Sequence, residues 1–210
     1  MARNWSQSQA LTTGRLEAFS DGVLAVAITL LALDLKLPLN LATDGEFWRA
    51  ALGLVPGLLA WMVSFFFLLT IWINHHYLFD GLKSVDRGLL WLNGFFLFCV
   101  TLIPLPTSLV GAYPWRGAPL ALLSGTMFLA SLSFVLIRLY LDRRSELMKE
   151  SLSVSQRRVA LVRSALGPTT YAIAFALSFI APLATIGCLF AALLLFVFGV
   201  PNFSGKDSDP

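Results

Sequence analysis

Arg15-Leu16-Glu17-Ala18-Phe19-Ser20-Asp21 runs straight into Gly22-Val23-Leu24-Ala25-Val26-Ala27-Ile28-Thr29-Leu30-Leu31-Ala32-Leu33-Asp34. Between Gly22 and Leu33 the only polar side chain is that of Thr29, and the charges stand at the two ends. A soluble core helix seldom keeps its middle so clean. A bilayer demands it, because charge at mid-membrane is costly and charge at the interface is not. The stretch reads as a membrane helix.

Winding it at 100° per residue from Val26 puts Gly22, Thr29, Leu30, Leu33 and Leu37 within about 60° of Val26. Ser20 and Asp21 fall about 120° and 140° away, towards neighbouring helices, so this polar pair is off the stripe. Leu31, also about 140° away, marks the comparison face. Periodicity alone leaves two readings of the stripe open, a packing face within a bundle and the lining of a pore.

Composition agrees with a membrane protein. Of 210 residues 57% are hydrophobic and only 13% charged, with a mean hydropathy of +0.76. Soluble domains carry about twice that charged fraction. The net charge of +3 is too small to suggest nucleic-acid binding, and basic loops on one side of a membrane account for it. Cys99 and Cys188 lie in apolar runs without metal or redox spacing. Ala25-Val26-Ala27 has the small-x-small form of a signal cleavage site, but the apolar run continues past it, so the first helix reads as retained.

The pattern predicts an all-α integral membrane protein of six transmembrane helices, one channel-sized bundle over 15–200 with a cytoplasmic segment 1–14 and a tail 201–210. The expected spans are Leu16–Leu37, stopped by Pro38, then Leu52–Tyr77, Leu89–Val110, Leu120–Tyr140, Val159–Ile180 and Pro182–Val200. The stretch Leu39–Arg49 reads as a loop, and Leu141–Gln156 as a polar linker. With six spans both termini share a side. On that side fall Arg3 and Arg15, Lys83 and Arg87, Arg138, Arg143, Arg144, Lys149, Arg157, Arg158 and Arg163, and Lys206. Only Lys36, Arg49 and Arg116 of the 15 basic residues fall opposite. The positive-inside rule makes the basic side cytoplasmic, as expected of a multi-pass protein of the plasma membrane.

Arg15-x-x-x-Phe19-Ser20-Asp21 at the start of the first helix resembles the signature of the endolysosomal potassium channel family (transmembrane protein 175) and its bacterial six-helix members. Trp72-Ile73-Asn74-His75, Leu92-Asn93 and Leu102-Ile103-Pro104 extend the resemblance. It implies a homotetramer whose first helices line a central pore at the symmetry axis, with no glycine-rich carbonyl filter. It further implies a pore constriction at Val26, Leu30 and Leu33 and a selectivity role for Thr29. Arg15, Phe19, Ser20, Asp21, Trp72, His75 and Asn93 become a structural motif locking the first three helices together. The partners implied are other copies of the chain, membrane lipids and monovalent cations, without nucleic acid or any cofactor beyond permeating potassium.

A carboxylate turned into a bundle needs a partner, and His75 is the expected one for Asp21, with Trp72 and Asn93 as donors nearby. His75 and His76 point to different helix faces and do not make a metal site. The sequence shows no nucleophile with a base, nor paired carboxylates, as an enzyme would need. The alternative function is an ion- or proton-coupled secondary transporter. It would call for interrupted helices in matched halves and midplane charge, and the spans show neither.

Overall fold

The apolar runs fold as eight α-helices and two 3-10 turns in the computed structural model, which describes residues 12–150 and 153–198. Most of the expected segment 1–14 and the whole tail 201–210 lie outside the described residues. In chain order the helices are α1 (Thr13–Leu30), α2 (Asp44–Gly53), α3 (Val55–Asp80), α4 (Arg87–Thr101), α5 (Pro104–Ala112), α6 (Gly117–Arg143), α7 (Val154–Leu177) and α8 (Pro182–Phe198). The 3-10 turns are Leu31–Asp34, closing α1, and Ser145–Leu147. The chain is an all-helical membrane protein.

Among the described residues five stretches are long and apolar enough to cross a membrane: α1 with its 3-10 extension, α3, α4 with α5, α6, and α7. The last helix, α8, is apolar but has 17 residues, about 26 Å at 1.5 Å per residue. Inside the bundle α6 is the most buried span and packs chiefly on α7 and α4. The second span crosses α5 where two glycines meet. A Cβ on Gly111 would lie 3.0 Å from the Gly57 Cα, so a side chain at 111 would push the two helices apart, whereas one at 57 would meet ordinary contacts.

Local chemistry sets the breaks, and three differ from the sequence expectation. The first α-helix ends at Leu30 and not Leu37. Its last turn tightens to 3-10, and Leu35 leaves the helical region at φ −81°, ψ 81°, before Pro38. The expected loop 39–49 holds most of α2, whose start is fixed by a capping box. Thr43 Oγ1 accepts the Glu46 amide at 3.2 Å, and Glu46 accepts from the Thr43 amide.

The third span is broken at Leu102–Ile103, because Pro104 and Pro106 have no N–H to give the carbonyls four residues back. The linker after α6 is pinned to the α3–α4 turn. There the Lys83 amide donates to Leu147 O at 2.7 Å and the Lys149 amide to Gly81 O at 2.9 Å. Asp86 caps α4 by accepting the Leu89 amide at 2.8 Å, and also receives the Tyr140 hydroxyl at 2.6 Å. These contacts gather the end of α3, the start of α4 and the end of α6 at one end of the bundle, where Arg157 at the start of α7 also donates to Asp142 O at 3.0 Å. The start of α1 is at that end too.

Candidate pore helix and its anchor

Burial divides α1 more sharply than hydrophobicity does. Leu16, Ser20, Leu24 and Ala27 are buried, with Leu31 just beyond, and wound at 100° per residue they fall about 80–160° from Val26. The opposite face is bare. Val26 is 56% exposed, Leu30 42% and Leu33 61%. The 3-10 turn eclipses residues three apart, so Leu33 stands above Leu30 and not some 60° around from it.

Thr29 is exposed on the same face, and its hydroxyl donates to Val26 O at 2.9 Å. With the proton turned back into the helix, the oxygen lone pairs face outward. An oxygen so oriented accepts a donor or a cation.

Ser20 and Asp21 turn the other way and fasten the helix. Ser20 Oγ donates to Leu16 O at 2.9 Å and accepts from Asn93 Nδ2 at 2.9 Å. The Asn93 amide oxygen accepts from His75 Nε2 at 3.0 Å. Ser20, His75 and Asn93 are all buried, so this chain of hydrogen bonds joins α1, α3 and α4 without water. The His75 ring lies between Phe79, with centroids 3.7 Å apart, and Phe96, at 5.4 Å. With Nε2 donating, the neutral ring's acceptor is Nδ1, which is buried and meets no hydrogen-bond partner among the described residues.

The expected Asp21–His75 pair is not formed. Asp21 Oδ1 accepts the Trp72 indole N–H at 2.9 Å instead. One residue of helix rotation explains the exchange: Asp21 is turned about 100° from Ser20, away from α4 and towards the Trp72 side of α3. Trp72 stacks on His76 at 5.8 Å, and His76 Nδ1 lies 3.1 Å from Glu17 Oε1. The Glu17–His76 pair closes a second, half-exposed tie between α1 and α3. Sequence reasoning passed over Glu17, although its place four residues before Asp21 puts both on one side of the helix.

The motif is therefore split in space. Phe19 is 61% exposed and lies about 20° from Val26, on the bare stripe and apart from its neighbours Ser20 and Asp21. Arg15 is exposed on the same side. Neither residue joins α1 to α3 or α4 within one copy of the chain. Among the described residues no group of three or more His, Cys, Asp or Glu side chains is placed to hold a metal ion.

Residues 15–104 match the family model described as endosomal/lysosomal potassium channel TMEM175. A potassium channel of Chamaesiphon minutus is 33% identical over 188 residues, covering 88% of this chain and 93% of that protein. One of Streptomyces collinus is 36% identical over 176 residues, covering 81% and 85%. The crystal structure of a Chamaesiphon minutus homolog of the lysosomal potassium-selective channel TMEM175 superposes with a TM-score of 0.76 at 31% identity. It covers 88% of this chain and 96% of that one.

Proposed function

The chain belongs to the TMEM175 potassium channel family, and from that premise we propose a passive, potassium-permeable channel built from four copies around a central axis. The bare apolar stripe of α1 carries the proposal. One helix encloses nothing, but four such stripes facing an axis make a narrow hydrophobic conduit. Rings of Val26, Leu30 and Leu33 form its constriction, closed when dry and conducting when hydrated. Thr29, with its lone pairs outward, supplies oxygen ligands that replace part of an ion's hydration shell.

The buried chain Ser20–Asn93–His75 and the Asp21–Trp72 bond hold α1 at a fixed rotation, so that the stripe faces the axis. Six spans place both termini on the cytoplasmic side of the cell membrane, with the short α8 as the sixth, and the bundle forms a single channel domain. Conduction of this kind needs no cofactor and no catalytic group.

The test is potassium flux from liposomes holding the purified protein under a potassium gradient. Uptake of a reporter cation should follow the gradient and stop when it is collapsed. A current that needs a counter-transported ion would point to the coupled-transporter reading instead.

A further inference from the structure

The family resemblance gives no task to α2, and α2 has an apolar face that the chain leaves uncovered. Its helix wheel gathers Phe47, Trp48, Ala51 and Leu52 within an arc of about 140°, which the charged Asp44 enters only at the first residue of the helix, with Glu46 and Arg49 on the opposite side. Trp48 is 66% exposed and Leu52 70%. The helix packs mainly on the start of α3, yet its Thr43–Glu46 capping box lets it form with little tertiary support.

We propose that α2 lies in the lipid–water interface, its apolar face in the acyl boundary and its charged face in water. Three observations favour lipid as the occupant. Only Leu54 separates α2 from α3, so its last turn sits where a span enters the bilayer. The uncovered face leads directly into exposed apolar side chains on the first turns of α3, at Val55, Leu58 and Leu59, which a spanning helix presents to lipid. Finally, the Gly57–Gly111 crossing puts Tyr113 and Trp115 at this same end of the bundle, both exposed. Together with Trp48 they make an aromatic belt of the kind that marks a headgroup layer.

A short helix with tryptophan on one face and glutamate and arginine on the other matches the chemistry of an interfacial anchor. Its start, ten positions beyond the 3-10 turn that closes α1, makes it an anchor for the mouth of the candidate pore.

Spin labels at Phe47→Cys and Arg49→Cys, about 160° apart on the helix, test this in phosphatidylcholine liposomes. Leu52→Cys serves as a second reporter of the apolar face. Accessibility to oxygen, which concentrates in lipid, is compared with accessibility to a water-soluble nickel chelate. The oxygen-to-nickel ratio at 47 and 52 should exceed that at 49 several-fold. Equal ratios at all three sites would place α2 in water and overturn the proposal. Sites 47 and 52 closed to both reagents, with spin–spin broadening between copies, would make the face a subunit contact and equally overturn it. Neither outcome bears on conduction, which is read separately by potassium flux.

Discussion

Asn93 makes two hydrogen bonds at once, donating to Ser20 and accepting from His75. Asn93→Leu keeps the branched shape with somewhat more bulk and removes both. Ser20 retains its bond to Leu16 O, whereas the His75 N–H is left buried without an acceptor. Interhelical hydrogen bonds in membranes average only about 0.6 kcal/mol where the partners re-pair. A stranded buried group costs about 1–3 kcal/mol. Asn93→Leu should therefore lower the thermal midpoint of the detergent-solubilised protein more than Asp21→Ala, which strands only the half-buried Trp72 indole. The reverse order would move the anchor from the buried chain to the Asp21–Trp72 pair.

Asp86, outside the spans, gives a pH-dependent test. Partial desolvation pushes its carboxyl up, but hydrogen bonds from Tyr140 and the Leu89 amide, with the Arg144 guanidinium, outweigh it. The group titrates below its ordinary 3.8. A carboxyl depressed in the folded state adds stability above its unfolded pKa and loses it as pH falls through the folded one. Wild type should thus melt above Asp86→Asn at pH 5–7, and the gap should close as pH falls from 3.8 through the lower folded-state pKa. A gap that persists at the acid end would assign the Asp86 contribution to its cap geometry alone.

At the scale of the element, the membrane character of α1 and its stripe were legible because apolar content and a 100° period leave few alternatives. Phe19 was not. Its sequence neighbours suggested one cluster, but each residue of a helix turns 100° from the last, so Phe19 faces out while Ser20 faces in. Capping chemistry around α2 was present in Thr43-x-x-Glu46, yet apolar content dominated the reading and the segment passed as a loop.

The Asp21 partner was illegible, since Trp72, His75 and Asn93 all lay at one depth and only side-chain direction separates them. Leu31 illustrates the same limit. It is off the stripe as expected, but 2% exposed, so Leu31→Asn would report unfolding and cannot serve as a comparison for the pore. Ala25, exposed and about 100° from Val26, can. Leu30→Asn should raise basal potassium flux in liposomes by hydrating the constriction, and Ala25→Asn should leave it near wild type. Equal effects would take α1 off the pore.

For the whole molecule the unpaid term is surface. One copy exposes Phe19, Val26, Leu30 and Leu33 on a face that also carries Arg15 and Thr29. Lipid would cover the apolar residues as well as a partner does, so exposure alone does not demand assembly. What distinguishes the two is the polar company on that face. A threonine whose lone pairs point outward and a stripe ending in an exposed arginine suit a hydrated axis better than acyl chains. Exposed Ile173 on α7 sits with Phe128, Pro168, Ala172 and Ala176; the threonine beside it, Thr169, also donates to its own helix, at Ala165 O, but among the described residues no charged side chain lines this surface, which suits lipid. Cysteine placed at Val26 should therefore oxidise to disulfide-linked dimers in membranes, while Ile173→Cys should stay monomeric on a denaturing gel. Glutaraldehyde ladders of the purified protein should end at four. If Ile173→Cys cross-links and Val26→Cys does not, α7 forms the subunit contact, and α1, for all its bare apolar face, is turned to the lipid.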